Sequence, residues 1–325
     1  WFSAWLTDRT QTVRGGSSIL NVTHGVIQGS ILGPVLFLIF TNDLPQHIPH
    51  GKVVMYADDT QFLDADFSMN IQALKTRIEA SLSTALKWFT QNRLKINPAK
   101  TEFVILRSRR QNLDTDLSVH FGNDSISPSH SVKVLGVVID SHLTWEAHVS
   151  SIVRRCYCVL VGLARMRHRL PKCTRRMLVE ALVFPHLRYC VTVWGSCSAC
   201  QRKRIQRAIH FGVRIVAGLG RRDHVTPSLR ELGWCNVDEL ITERDIATIR
   251  HLIAAPNASE LLRDRIIRRS DVSARVTRAT VDGQLQLPRV RTEFARRSFL
   301  YRAVTAWNGL PLDARQPPAI RDPHH

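Results

Sequence analysis

Residues 53–63 read VVMYADDTQFL, and this stretch decides the fold of the amino-terminal half. Two β-rich runs, 53–56 and 60–63, lie on either side of the acidic pair Asp58 and Asp59. Short runs of β-branched and aromatic residues on both sides of a small polar break are typical of a β-hairpin. The stretch therefore predicts a hairpin that carries two carboxylates at its tip.

The acidic pair has two interpretations. Adjacent carboxylates at a tight turn repel each other and resist desolvation unless a cation lies between or beside them. Phosphoryl transfer by two metal ions needs such oxygen ligands, and Mg²⁺ prefers carboxylates together with substrate phosphates. The alternative is ordinary turn chemistry, in which Asp residues are common. The residues flanking the hairpin are needed to choose between them.

The first 140 residues, on both sides of this hairpin, have a mixed pattern of predicted helices and strands. An apolar segment that follows residues 29–34 and ends near Asn42 predicts a buried helix, and helical spacing of apolar residues predicts a second, amphipathic helix at 68–92. Further strands are predicted at 103–106, 117–121 and 132–139. Beyond Trp145 the pattern becomes helical, with predicted helices at 145–166, 172–184, 201–217 and 236–254 and an amphipathic segment at 294–307.

The charge of the chain is concentrated in its second half. Residues 1–150 hold 13 basic and 13 acidic side chains, whereas residues 151–325 hold 32 and 14, and 30 of those 32 are Arg. Arg binds phosphate oxygens with a bidentate fork, so this half favours a polyanionic partner, with nucleic acid ahead of an acidic membrane surface. The longest apolar run, 31–40, is about half of a bilayer span, so no membrane span is predicted, and nucleic acid rather than a membrane is the predicted partner.

The cysteines indicate the compartment and raise the question of zinc. Seven cysteines in irregular positions predict no disulfide framework and an intracellular, reducing location, and residues 1–9 lack a secretory signal pattern. Cys197 and Cys200 form a C-x₂-C pair, but Cys190 and His210 do not complete the spacing of a zinc knuckle. We therefore interpret the cysteines as ordinary thiols.

One predicted helix, at 201–217, has a basic stripe. Lys203, Arg207, His210 and Arg214 lie opposite an apolar face made of Ile205, Ile209, Val213 and Val216. The stripe is either a solvated face or a surface that follows a nucleic-acid backbone. Both interpretations stay open from the sequence alone.

Four blocks at and around the hairpin, and a fifth near the carboxy terminus, resemble the reverse transcriptases of non-LTR (LINE-type, jockey- or CR1-like) retrotransposons. Residues 25–34, GVIQGSILGP, are similar to motif B of that family, and residues 56–59, YADD, to motif C. Residues 97–102, NPAKTE, are similar to motif D, and Leu135-Gly136-Val137 to the primer grip. Residues 307–311, WNGLP, are similar to the tail of the elements' second reading frame.

The resemblance implies roles for individual residues. Asp58 would coordinate Mg²⁺, with Asp59 as a second, less central carboxylate. Lys100 would face the nucleotide phosphates, and Leu135 and Gly136 would form the primer grip. Residues near the templating pair and the incoming nucleotide would be Gln28, Gly29, Ser30, Tyr56 and Ala57. The basic stripe at 201–217, and not the resemblance, gives Lys203, Arg207 and Arg214 as candidate contacts with a nucleic-acid backbone. Each role has a non-functional alternative. Residues 28–30 could simply form a loop that leads into a helix, and Lys100 could be a solvated lysine in a turn.

The implied fold is α/β (α+β): a palm remnant at 1–144, an all-helical thumb at 145–220 and a basic helical region at 221–325. The implied activity is RNA-directed DNA polymerisation on an RNA template and DNA primer, with deoxynucleotides as substrates. The family's first metal-binding Asp would lie upstream of Trp1, and Asp8 does not replace it. We therefore expect this fragment alone to be inactive, and the alternative function is a non-catalytic nucleic-acid-binding remnant.

Overall fold

The fold is described from a computed structural model, and its contacts divide the chain into two compact units, Trp1–His130 and Ser131–His325. The structure describes residues 3, 6–12, 18–27, 29–108, 117–255, 258–272 and 283–315.

The first unit mixes helices with small antiparallel sheets. Its three hairpins pair β1 with β2, β3 with β4, and β5 with β6, and none of these sheets has a third strand among the described residues. The mixed class predicted for this half is confirmed, but the strand predicted at 103–106 is reduced to one bridge between Phe103 and Pro128. The elements are β1 Arg9–Gln11, β2 Leu20–Val22, α1 Gly33–Thr41, α2 Leu44–His47, β3 Lys52–Tyr56, β4 Asp59–Leu63, α3 Ile71–Gln91, β5 Val119–Phe121 and β6 Asp124–Ile126.

Helix α3 supplies the core of the first unit. Its buried residues Leu82, Ala85 and Trp88 recur at helical spacing and pack against residues from α2 and from the hairpins β3–β4 and β5–β6. The amphipathic pattern that predicted a helix at 68–92 is therefore confirmed. Burial of one apolar face against several elements is what holds the short hairpins in place.

Helix α1 forms as predicted, but the prediction that it is buried is wrong. Of its nine residues only Gly33 and Thr41 are buried, whereas Val35, Leu38 and Ile39 are 50–68% exposed. The apolar composition was the reason for expecting burial, yet no described element of the first unit covers this side of the helix. An exposed apolar patch of this kind is typical of a surface that packs against another layer.

The second unit is helical apart from one hairpin, β7–β8. The run predicted as a single strand at 132–139 is instead two strands joined by the turn Leu135-Gly136, whose φ angles are 46° and 85°. Two successive residues with positive φ produce a tight two-residue hairpin turn. The elements are β7 Ser131–Val134, β8 Val137–Asp140, α4 Glu146–Met166, α5 Lys172–Leu182, α6 Phe184–Arg188, α7 Val191–Trp194, α8 Ala199–Ala217, α9 Thr226–Glu231, α10 Val237–Ala254, α11 Glu260–Arg263, α12 Arg269–Val272, α13 Glu293–Arg296, α14 Phe299–Asn308 and α15 Leu312–Arg315.

The core of the second unit lies between α4 and α8. Buried residues from both helices, among them Leu160, Ile205 and Val213, belong to one apolar cluster that also contains the fully buried Trp194. The four long helices predicted from apolar periodicity are confirmed, with α5 ending at Leu182 and the short α6 following it. The stretch Glu146–Arg169 is also the one described helix that is long and apolar enough to cross a membrane. One face of it is buried in this core, as expected for a core helix.

Three domains were predicted, at 1–144, 145–220 and 221–325, and as functional domains they stay a prediction. The structure separates the chain after His130, which groups the hairpin β7–β8 with the helices. Helix α10 packs on α8, and the backbone N–H of Val237 donates to Gln206 Oε1 at 2.8 Å. Regions 145–220 and 221–325 therefore share contacts within one compact unit.

The carboxy-terminal tail is fastened to α10 by a buried ion pair. The guanidinium of Arg302 donates to both carboxylate oxygens of Asp245, at 3.0 and 3.2 Å, and also to the carbonyls of Arg297 and Thr192. Asp245 is 1% exposed. Burial raises the pKa of Asp245 to about 6, while the charge and hydrogen bonds of Arg302 oppose that shift. The pair thus joins α7, α10 and α14.

We expect Asp245→Ala to destabilise the second unit by about 3–5 kcal/mol, because the Arg302 charge then stays buried without its counter-ion. Urea unfolding followed by circular dichroism measures the difference. Asp238→Ala is the matched control, since Asp238 pairs with Arg202 but its side chain is 67% exposed, and the expected loss is below about 1 kcal/mol. Equal losses in the two variants would contradict the role given to the buried pair.

The WNGLP segment has a structural role in this tail. The side-chain amide of Asn308 donates to the Leu285 carbonyl and accepts from the Leu285 N–H, each at 2.9 Å. Trp307 Nε1 donates to the Gly283 carbonyl at 3.2 Å, and the Trp307 ring is buried with Leu285. These bonds hold the segment around residue 285 against α14, as a neighbouring strand would.

Candidate active site

The acidic pair lies at the tip of the hairpin β3–β4, as predicted. Tyr56 pairs with Asp59, so Ala57 and Asp58 form a two-residue turn. Ala57 has a φ of 52°, in the left-handed region that residues with a Cβ rarely adopt. Tyr56, Asp58 and Asp59 are all exposed. The turn therefore presents both carboxylates and the tyrosine ring to solvent.

The carboxylates at the tip are free to bind a cation. Within the described residues, neither Asp58 nor Asp59 has an ion pair or a side-chain hydrogen bond to the protein. Their oxygen atoms are the ligand type that Mg²⁺ prefers. The described part of the chain contains no group of three or more His, Cys, Asp or Glu side chains that could hold a metal ion together. The pair fits part of a two-metal site, and substrate phosphates or further carboxylates would supply the remaining ligands.

A salt-bridge cluster beyond β4 anchors the hairpin, and the sequence reading missed it. Arg77 on α3 donates to Asp64 Oδ2 and Asp66 Oδ2, each at 2.9 Å. The Arg77 bond lowers the pKa of Asp64, and bonds from Asn70 and then Arg77 lower the pKa of Asp66. The cluster thus fixes the end of β4 to the helix that carries the core. The sequence signal for this cluster is a D-x-D pattern just after a strand, followed by an Arg on the next predicted helix.

We expect Arg77→Gln to loosen the hairpin without unfolding the unit, because the charge-assisted bonds to Asp64 and Asp66 are lost while the α3 core is kept. Hydrogen exchange of the peptide that spans 52–63 measures this as faster exchange. Lys75→Gln is the control, since Lys75 pairs with Glu79 on its own helix at 3.8 Å. If both variants exchange like the parent, Arg77 does not anchor the hairpin.

The segment predicted to lie under the nucleotide forms a compact loop into α1. Gln28 lies outside the described residues. Gly29 has a φ of 80°, which favours glycine. The Ser30 hydroxyl donates to the Ile27 carbonyl at 2.7 Å and accepts from the Gly33 N–H at 3.0 Å. A Cβ at position 33 would lie 2.8 Å from Ser30 Oγ and 3.1 Å from the Ile27 carbonyl oxygen, so a larger residue there would displace the Ser30 hydroxyl from its hydrogen bonds.

Lys100 ends a short turn of 3₁₀ helix, Pro98–Lys100. The Asn97 side chain accepts from the Ala99 N–H at 3.1 Å and thereby fixes the start of this turn. Lys100 is exposed and has no ion pair with any residue that the structure describes. Its ammonium is therefore available to an external anion, as the predicted role requires.

These groups are not joined to one another in the described part of the chain. The hairpin tip, the loop at 29–33 and the turn at 98–100 share no hydrogen bond or ion pair there. Each is instead fixed locally, by the β3–β4 register, by Ser30 and by Asn97. A substrate that contacts several of them would be needed to connect them.

The family comparison decides the identity of this part of the chain. The family model described as reverse transcriptase (RNA-dependent DNA polymerase) matches residues 1–139, which include the hairpin tip, the loop at 29–33 and Lys100. Residues 1–139 belong to the reverse transcriptase family.

The chain is also similar to curated RNA-directed DNA polymerases of transposons and other mobile elements. It is 28% identical over 241 residues to the probable RNA-directed DNA polymerase from transposon BS of Drosophila melanogaster, covering 71% of this chain and 26% of that protein. It is 28% identical over 202 residues to the RNA-directed DNA polymerase from mobile element jockey of Drosophila funebris, covering 58% and 21%. The chain thus spans about a quarter of the relatives' length. No solved structure matches it.

In the helical unit, the residues of the predicted primer grip form the tip of hairpin β7–β8. The Tyr189 hydroxyl donates to the Leu135 carbonyl, and a Cβ at Gly136 would lie 3.6 Å from the Tyr189 ring. Trp194 Nε1 in turn donates to the Tyr189 carbonyl at 2.9 Å. The tip is therefore connected to the helical core through Tyr189, a residue that the sequence reading did not single out.

A carboxylate cap, Asp140, shapes the turn that leads from β8 into α4. The Asp140 carboxylate accepts from the N–H groups of His142, Thr144 and Trp145 at 2.8–3.2 Å. Burial works to raise the pKa of Asp140, but the bonds from Thr144 and Trp145 outweigh it and lower the pKa. Leu143 and Trp145 have positive φ angles, which this cap stabilises.

The basic stripe on α8 is smaller than predicted. Ile205, Ile209, Val213 and Val216 are buried as expected, and Lys203 and Arg207 are exposed. Arg214, however, donates to the carbonyls of Gly220 and Asp223 at 3.2 and 3.5 Å, so it supports the loop after the helix. Among the described residues no cluster of metal-binding side chains forms around Cys197 and Cys200.

Proposed function

We propose that the chain is the carboxy-terminal part of an RNA-directed DNA polymerase, in which Asp58 and Asp59 hold catalytic Mg²⁺. The observation that carries this proposal is the exposed turn of β3–β4, where two adjacent carboxylates have no protein partner among the described residues. Bound Mg²⁺ would stabilise the negative charge that develops on the transferred phosphate and on the leaving group. Membership of residues 1–139 in the reverse transcriptase family supports the assignment.

The other residues would position the reactants. Gly29 lets the backbone approach a base pair closely, Ser30 shapes the loop beneath it, and Gln28 supplies an amide for a hydrogen bond. Lys100 would neutralise or protonate the departing pyrophosphate. Tyr56 and Ala57 would place the hairpin tip beside the primer end, and Leu135 and Gly136 would hold the primer.

We further propose an RNA template with a DNA primer, or the RNA–DNA duplex they form, as the partner. The excess of Arg in residues 151–325 supports it, because this surface can neutralise phosphates along a duplex. Deoxynucleotides would be the substrates. A nuclear or cytoplasmic ribonucleoprotein is the proposed setting, which agrees with the seven free cysteines of the chain.

The test is primer extension by a completed polymerase. Residues 1–325 would replace the matching segment of the jockey polymerase, and incorporation of deoxynucleotides on an RNA template would be measured with and without Mg²⁺. The proposal predicts Mg²⁺-dependent extension. A chimera that is folded and binds primer–template but incorporates nothing would contradict it.

A further inference from the structure

A cleft of about 510 Å³ lies between α4 and α6 in the helical unit. None of the residues that line it belongs to α8 or to the predicted site, so it is distinct from the basic stripe. Its walls are Ser151, Arg154, Arg155, Cys158 and Val159 from α4 and His186 from α6.

The cleft is positively charged and lacks a counter-ion. Arg154 and Arg155 are exposed neighbours, and neither has an ion pair or a hydrogen bond with any residue that the structure describes. None of the residues that line the cleft is acidic. Two guanidinium groups on adjacent residues repel each other, and an anion between them would remove that repulsion. Ser151 and His186 add side chains that can donate hydrogen bonds to phosphate oxygens.

The same face of α4 continues past the cleft with little obstruction. Ser151 and Cys158 are small, and a Cβ at Gly162, one turn further, would meet no atom within 4 Å. Arg165 is exposed beyond it. Ten residues of helix separate Arg155 from Arg165, a distance of about 15 Å, which equals the axial rise of about four phosphates on one strand of a duplex.

We propose that this cleft and the adjoining face of α4 bind the phosphate backbone of a nucleic-acid duplex. The small residues in the middle of this face let the nucleic-acid backbone approach closely, and Arg154, Arg155 and Arg165 contact successive phosphates. Guanidinium groups bind phosphate bidentately and are weakly hydrated, which suits them to this contact. The inference rests on the proposed nucleic-acid partner and assigns it a site.

The exposed cysteines of the chain provide the test. Cys158 lies in the cleft, Cys200 lies on α8 close to Lys203, and Cys173 lies at the start of α5. The full 325-residue chain would be treated with N-ethylmaleimide with and without a short RNA–DNA hybrid, and the rate at each thiol read by mass spectrometry. We expect the hybrid to slow modification of Cys158 and to leave Cys173 unchanged.

Matched variants test whether the protection of Cys158 depends on the charges of Arg154 and Arg155. Arg154→Gln with Arg155→Gln should flatten the slope of log K against log salt by about 1.4–1.8, since each lost phosphate contact contributes about 0.7–0.9. It should also remove the protection of Cys158. Arg221→Gln with Arg222→Gln is the control, because these are also adjacent exposed arginines but lie in the loop after α8. Thermal melts would confirm that both variants are folded.

Each other outcome overturns the inference in a recognisable way. If the hybrid protects Cys200 but not Cys158, the nucleic-acid partner stands and the cleft is not its site. If the hybrid binds to no part of the chain, the proposed partner fails as well. If anionic phospholipid vesicles protect Cys158 and the hybrid does not, the cleft serves a membrane surface instead.

Discussion

Asp58→Asn in the completed polymerase is expected to reduce primer extension at least about a hundredfold, because a metal ion contributes several kcal/mol of charge stabilisation that a neutral amide ligand would weaken. Binding of primer–template should be retained. Asp58 is exposed and has no partner in the described protein, so its charge is not needed for folding. Single-turnover extension and hybrid affinity, measured on the same preparation, separate the two effects.

The control for Asp58 is a carboxylate in a similar position elsewhere. Asp124 is exposed next to the tip of hairpin β5–β6, where it pairs with Phe121 as Asp59 pairs with Tyr56. Asp124→Asn should leave extension unchanged. If Asp58→Asn keeps extension within about tenfold of the parent, equivalent to about 1.4 kcal/mol of barrier, then Asp58 is not a central metal ligand.

Local patterns predicted the elements of this chain well. The hairpin at 53–63 was predicted because its strands and turn are adjacent in sequence, and α3 because one face of it repeats every three or four residues. The same approach failed at Leu135-Gly136. There the continuous apolar run hid a turn whose second residue is glycine. Glycine within a strand pattern was the signal that a tight reversal was possible.

Contacts between distant residues could not be predicted. Arg302 bonds Asp245 and the Thr192 carbonyl, which lie 57 and 110 residues away. Nothing in the local pattern at either end distinguishes such a pair from solvated surface charges. The exposed face of α1 is the converse case. Its composition indicated burial, but burial also depends on which element packs against it, and composition does not specify the neighbour.

The basic stripe on α8 illustrates why side-chain partners matter for an interface. Helical spacing placed Lys203, Arg207 and Arg214 together, and the structure keeps the first two exposed. Arg214 is engaged by the carbonyls of Gly220 and Asp223. Substitution of Lys203 or Arg207 should therefore affect binding of nucleic acid, whereas substitution of Arg214 should affect the stability of the fold.

Replacing Lys203 and Arg207 together by Gln is expected to lower the affinity of the 325-residue chain for an RNA–DNA hybrid about 25- to 60-fold at 0.1 M salt, if each residue contacts one phosphate. The slope of log K against log salt should flatten by about 1.4–1.8, equally for hybrids of different sequence, because phosphate contacts read no bases. Fluorescence anisotropy titrations at several salt concentrations measure both quantities.

Arg214→Gln separates the two roles on this helix. It removes the donor to the Gly220 and Asp223 carbonyls, so we expect a lower midpoint of thermal unfolding with an unchanged salt slope. For the double variant of Lys203 and Arg207 we expect an unchanged unfolding midpoint and a flatter salt slope. Neither residue holds a described part of the fold through an ion pair or hydrogen bond. A slope that stays constant in the double variant would show that the stripe is a solvated face. A slope that flattens with Arg214→Gln would instead show that Arg214 contacts nucleic acid.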